Sequence, residues 1–208
     1  TQGSVYNLEG VLAAKKMGFE RVVLARELSF DEIDEIAKND DTELEVFVHG
    51  ALCLCYSGQC QMSRYFGGRS GNRGQCAQPC RLPYKVLDED FRLVDSFKYP
   101  LSPKDLCLID QIGDLAKIGV ASLKVEGRMK SAEYVAVVTR IYRKYLDEYY
   151  EKGWYQVSDE DRHQLMQIFN RGGFTQGYYW VDPEQQLISG DIPKHRGVKL
   201  GKAIKQVQ

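Results

Sequence analysis

Four cysteines, Cys53, Cys60, Cys76 and Cys80, crowd into the stretch ALCLCYSGQCQMSRYFGGRSGNRGQCAQPC, and two of them bracket a loop rich in glycine and arginine. Four thiolates converging from different directions suit one soft multivalent cation or an iron–sulfur cluster, and a flexible loop between two ligand pairs lets the backbone wrap round it. The intervening lengths match neither the paired CxxC of a zinc ribbon nor a bacterial ferredoxin run, so the residues leave zinc and iron–sulfur both open. Wide, unequal spacing favours ligands gathered from loops above a pre-built scaffold. Cys55 shares a face with Cys53 if the entering segment is extended, which makes it a spare ligand. Cys107, in DLCLID, reads instead as a buried apolar thiol. The chain is larger than small disulfide-stapled scaffolds, so a disulfide framework is not the expectation.

Charge adds a second set of candidates. The net charge of −1 over 208 residues makes no general case for nucleic acid or membrane, and no apolar run reaches the roughly eighteen residues of a spanning helix. Locally, Arg64, Arg69, Arg73 and Arg81 lie in or beside the cysteine loop, and Lys124, Arg128 and Lys130 surround a strand end. A C-terminal run from Lys194 to Lys205 reads as a solvated face. Alternation along SLKVEG places Lys124 and Glu126 together, either as an ion pair or as an acid and base at a rim. His49 ends a buried strand.

The elements that position these residues follow from periodicity and caps. NLEGVLAAKKMG reads as a helix stopped by Gly18, and RVVLA as a buried strand. Ser29 with Glu32 forms a capping box for a second helix, followed by the strand ELEVFVHG. This βαβ rhythm implies parallel neighbours. The next strand, residues 121–127, arrives late, so residues 50–100 form an insertion at the C-terminal end of a strand, where α/β folds place active sites. Within it, LPYKVL and FRLVD read as a hairpin. Pro103 and Asp105 open a helix to about Ile118, with the Asp105 carboxylate complementing the helix dipole. Ser131 to Lys152 is the longest helix, Ser158 starts a short one, NRGGFTQGYYW is a loop, and HRGVKLGKAIKQV begins a strand.

A closed eight-stranded barrel takes about 250 residues, and this chain offers three or four core strands. The expectation is an α/β fragment. Residues 1–190 form the C-terminal half of a TIM-like (β/α)8 barrel with the Cys-rich insertion, and residues 191–208 begin a C-terminal β-barrel domain. An open sheet edge is then covered by self-association or by the N-terminal half of the same polypeptide.

EVFVHGALCLCYSGQCQMS, GRSGNRGQCAQPCRLPY, LSPKDL, SLKVEGRMKSAEYV and FNRGGFTQGYY together resemble the peptidase U32, or collagenase-like protease, family over nearly the whole chain. The second segment is most similar to the branch linked to hydroxylation of the wobble uridine of tRNA. The resemblance implies a 4Fe–4S cluster on Cys53, Cys60, Cys76 and Cys80 in a cytoplasmic RNA-modifying hydroxylase, with tRNA as partner and no membrane. Arg64, Arg69, Arg73, Arg81 and Lys124 would then hold phosphate, Tyr56, Tyr65 and Phe66 would stack bases, and Glu126, Arg128 and His49 are the catalytic candidates. The family name implies a peptidase instead. No HExxH or Gly-x-Ser-x-Gly motif supports that reading, and a Cys–His pair built on His49 and Cys53 is its best form. A zinc site organising a binding module is the third alternative.

Overall fold

The computed structural model describes residues 1–94, 97–180, 186–199 and 201. Helix α1 (Leu8–Lys16) begins where the Asn7 side chain accepts a hydrogen bond from the Gly10 N–H. Strand β1 (Arg21–Val23) leads to helix α2 (Phe30–Asn39), whose Ser29–Glu32 capping box forms as the sequence implies. Strand β2 (Glu43–Ala51) follows. Its alternation buries Leu44, Val46 and Val48 with Val11, Ile33 and Ile36 of the two helices. After β2 come the short helix α3 (Met62–Gly67), two single-turn 3₁₀ segments, and strands β3 (Tyr99–Pro103) and β4 (Asp105–Cys107). Helix α4 (Ile112–Lys117), strand β5 (Ser122–Val125), helices α5 (Ala132–Lys152) and α6 (Asp159–Ile168), and strands β6 (Phe174–Thr175) and β7 (Ile188–Gly190) complete the order.

β2 is the hub of the main sheet. It pairs in parallel with β1, Val22 opposite Leu44, and with β5, Val46 opposite Leu123. Its last residues pair antiparallel with β4, Gly50 opposite Leu106, and β4 pairs in parallel with β6. The expected parallel α/β rhythm therefore holds for β1, β2 and β5, and the described strands form no closed barrel. β3 and β7 make a separate antiparallel ribbon.

Three expectations are corrected here. Asp105 opens no helix: residues 105–107 extend along β2, and the Arg171 guanidinium holds the Asp105 carboxylate, so the helix starts only at Ile112. The FNRGGFTQGYY loop contains the two-residue strand β6. Residues 188–190 form a strand that periodicity did not mark, because it is short and, among the described residues, pairs only with β3. The hairpin does form, with Leu87 opposite Leu93 and the Val94 N–H donating to the Val86 carbonyl, while Asp95 and Ser96 lie outside the described residues. Residues 195–199 are not in a strand, and the rest of the expected C-terminal strand falls on residue 200 and residues 202–208, also outside the description. Among the described residues no helix is long and apolar enough to cross a membrane.

Helix α5 fixes the sheet from one side. Its stripe of Tyr134, Val138, Ile141, Tyr142 and Tyr145 is buried, Ser131 caps its start and Gly153, at φ +78°, ends it. At the end of β2 the approach is close at Gly50, where φ is +113° and a Cβ would lie 2.8 Å from the Glu126 carbonyl oxygen and 3.2 Å from the Tyr134 hydroxyl. Gly50→Ala is expected to combine left-handed strain with a backbone clash and to cost roughly 3 kcal/mol. A thermal unfolding midpoint within one or two degrees of the parent would reject that tight fit.

Candidate functional site

The cysteine loop leaves the end of β2 and is tied down by side chains on both sides. Ser57 donates its N–H and its hydroxyl to the Glu27 carboxylate at 2.9 and 3.0 Å, and the Ser4 hydroxyl donates to the Ser57 carbonyl at 2.6 Å. Buried Ser63 on α3 accepts from the Ala77 N–H at 3.1 Å and lies 3.8 Å from the Cys76 sulfur, which itself accepts from the Gln78 N–H at 3.3 Å. Arg81 closes the far side. Its guanidinium donates to Ser102 Oγ at 2.8 Å, to the Leu52 carbonyl at 3.1 Å and to the Pro103 carbonyl. Burial, with Arg171 nearby, pulls Arg81 down to about 10. The sequence offered Arg81 as a phosphate ligand; here its donors are spent on holding the loop to the sheet.

The thiols occupy one neighbourhood. Burial raises Cys80 above its ordinary value, with Arg81 opposing and Cys53, Cys76 and Cys60 each adding to the rise. Cys55 is raised by burial and then by Cys60 and Cys53, so the spare cysteine stands beside the set. All are free, and Cys76 is the exposed member. Among the described residues no three His, Cys, Asp or Glu side chains stand at metal-ligand spacing. In donor chemistry, a set of four thiols, the partly buried Cys80 among them, suits a soft metal or cluster, and carboxylate or imidazole donors are not among them. Cys107 is elsewhere, packed against the core, and burial pushes its thiol up to about 11.

The charged candidates divide into two groups. Arg64, Arg69 and Arg73 are exposed on the loop, with Tyr56, Tyr65 and Phe66 exposed beside them at 69%, 86% and 70%. Lys124 is committed: it pairs with Glu45 across β5 and β2 at 2.8 Å and lies over the Phe47 ring. The Lys124–Glu126 pair suggested by alternation does not form. Glu126 instead accepts from the Arg128 N–H at 3.1 Å and donates its own N–H to the His49 carbonyl at 2.8 Å. The Arg128 guanidinium rests on Gly74, where a Cβ would strike it, so the turn after β5 touches the cysteine loop.

His49 is buried among the rings of Tyr134, Tyr142 and Phe174. The Tyr142 hydroxyl donates to the Val48 carbonyl at 2.8 Å, so at 3.3 Å the His49 Nδ1–H is the donor to Tyr142, and the bare Nε2 has no partner among the described residues. Burial, reinforced by Lys130, holds the imidazole down to about 3. Sequence reasoning assigned no site role to Arg171, which is buried and ion-paired to Asp105, and marked Lys130 only as one of the charges at a strand end; Lys130 projects from the turn after β5 onto the Phe169 ring.

The depressed His49 value has a definite sign. The unfolded chain protonates this side chain near 6.5 and the folded chain only near 3, so between those values the unfolded state binds more protons and stability falls as pH falls. The loss approaches about 1.4 kcal/mol per pH unit within that window. Thermal midpoints between pH 7 and pH 4 should therefore drop less steeply in His49→Gln than in the parent. Equal slopes would show that His49 does not titrate this way.

Comparison with known proteins places the chain. The model of peptidase family U32 matches residues 1–189. The chain is 38% identical to the 23S rRNA 5-hydroxycytidine synthase of Escherichia coli, covering 99% of this chain and 32% of that protein. It is 44% identical to a tRNA hydroxylation protein of Bacillus subtilis over 72% of this chain and 37% of the relative. It is 38% identical to a collagenase of Porphyromonas gingivalis over 86% and 46% respectively. The chain thus spans less than half the length of each of these relatives. No solved structure matches. Matched from its first residue into β7, the chain belongs to peptidase family U32.

Proposed function

We propose that this chain is part of an iron–sulfur-dependent hydroxylase acting on RNA, with tRNA as the substrate class. The observation that carries the reading is the set of four free thiols, Cys53, Cys60, Cys76 and Cys80, in one loop at the end of β2, together with exposed Arg64, Arg69 and Arg73 and exposed Tyr56, Tyr65 and Phe66. Two of the relatives are named for hydroxylation of rRNA and tRNA, which supports the same class of substrate. The sheet trio β1, β2 and β5 is read as part of a TIM-like half-barrel, completed by another part of a cytoplasmic polypeptide.

Cys53, Cys60, Cys76 and Cys80 would hold a 4Fe–4S cluster, which supplies redox or Lewis-acid chemistry when bound. The protein's own residues do the rest. The four cysteines would have to converge for binding, since a metal site need not be preformed. Arg64, Arg69 and Arg73 neutralise backbone phosphates without reading sequence, and the exposed rings give unstacked bases a face to rest on. Glu126 and Arg128, at the contact between the β5 turn and Gly74, position the loop over the sheet end.

The peptidase reading draws support from the relative named collagenase. In its Cys–His form it needs a histidine able to accept a proton near neutral pH. His49 is sealed in the core with Nδ1 engaged by Tyr142, so the geometry favours the hydroxylase reading.

Two measurements test the proposal. Anaerobic reconstitution with iron and sulfide should give a brown protein, and Cys53→Ser, Cys60→Ser, Cys76→Ser and Cys80→Ser should each lose the visible band while Cys107→Ser keeps it. Stoichiometric zinc with no visible band would favour the zinc alternative. Replacing Arg64, Arg69 and Arg73 with alanine should weaken binding of single-stranded RNA and lower the salt slope by about 0.7 per lost phosphate contact. An unchanged slope would remove these arginines from the interface.

A further inference from the structure

Beside the cysteine loop, three charged groups far apart in sequence converge: Asp105 on β4, Lys130 in the turn after β5, and Arg171 ahead of β6. Arg171 is buried and its Nη1 donates to Asp105 Oδ1, while its Nε donates to the Pro193 carbonyl at 3.2 Å. Arg81, whose charge also reaches Asp105, is spent on Ser102, Pro103 and Leu52. Lys130 has no such commitment. Its ammonium lies over the Phe169 ring at 2.7 Å from the centroid and 5.2 Å from that of Tyr134, and among the described residues it has no hydrogen-bond acceptor and no ion-pair partner.

The charge count around Lys130 is unbalanced. Arg81, Lys130 and Arg171 face Asp105, and adding the Glu126 carboxylate still leaves one positive charge in excess. Burial lowers Lys130 to about 8, with Arg171 and Arg81 pushing the same way and Asp105 and Glu126 opposing. An ammonium held among cations and rings, half out of water and without an acceptor, is costly unless an anion completes it.

We propose that Lys130, backed by Arg171, is an anchor for a phosphate group entering beside the cysteine loop. Lysine serves as a compact point charge for phosphate, and Arg171 supplies a fixed positive background that the Asp105 pairing keeps in place. The phosphate has two possible sources, the backbone of an RNA strand or a free phosphate. The first source rests on the RNA reading above; the second stands without it. In the RNA case, Lys130 fixes one phosphate next to the cysteines and so sets which nucleotide lies over them.

Amine labelling by trinitrobenzenesulfonate near pH 8, mapped by peptide mass spectrometry, reads Lys130 directly, with exposed Lys16 as internal control. The probes are inorganic phosphate and a single-stranded uridine oligonucleotide. Lys130 is expected to label severalfold more slowly with a probe while Lys16 does not change. Slowing by the oligonucleotide but not by phosphate assigns the RNA source. Slowing by phosphate in a protein that binds no RNA keeps the anchor and removes the RNA reading. Unchanged Lys130 labelling with both probes overturns the anchor, even if the oligonucleotide binds elsewhere on the protein. Lys130→Met, checked for native circular dichroism, should lower the salt slope of oligonucleotide binding by about 0.7 if the source is RNA, and Lys130→Arg should restore it.

Discussion

A single phenol hydroxyl organises the top of the sheet. Tyr142 projects from α5, donates to the Val48 carbonyl, accepts from the Leu108 N–H at 3.2 Å and receives the His49 Nδ1–H. Those partners belong to the last turn of the β2 pleat and the exit of β4, the two segments between which the cysteine loop starts and finishes. The Leu108 N–H also donates to the Val48 carbonyl at 2.9 Å, so withdrawing the hydroxyl would leave the buried His49 Nδ1–H without its acceptor, at a cost of about 1–3 kcal/mol. Burial correspondingly drives the phenol's own ionisation far above its ordinary range, so it remains a neutral donor at any working pH. The helix thus holds the sheet end that carries His49, Gly50 and the root of the loop.

The parts of this arrangement that were legible in the sequence are those written locally. Ser29 with Glu32, Ser131 and Ser158 announce helix starts through contacts within three residues, and all three caps form. The four cysteines could be grouped by type alone. What escaped depends on partners remote in the chain. Asp105 looks like a helix-start carboxylate until Arg171 takes it, and Lys124 looks paired with Glu126 by alternation until Glu45 of the neighbouring strand proves the nearer anion. Lys130 stood in a run of cations that ordinarily signals a solvated face, and only the rings of Phe169 and Tyr134 reveal its enclosure.

Charge is distributed by depth. The arginines exposed on the loop carry no internal partner among the described residues, whereas Arg81 and Arg171, nearer the sheet, are engaged with backbone carbonyls and a carboxylate. These inner arginines fix the frame, and the outer ones are left for solvent or ligand. That layering is consistent with a surface meant to meet an anion without losing its own shape, since preorganised groups need no rearrangement when the ligand arrives.

The antiparallel pairing of Ala51 with Asp105 has a further meaning. The chain departs from the sheet and rejoins it at adjacent positions, so residues 52–104 form a closed excursion whose two ends are stitched by the ladder itself. Closing entropy grows only slowly with the length of such a loop, about 0.6 kcal/mol per doubling. The excursion can therefore lengthen, shorten or be exchanged without shifting the register of β1, β2 and β5. The scaffold and the chemistry it carries are, in this sense, separately evolvable parts.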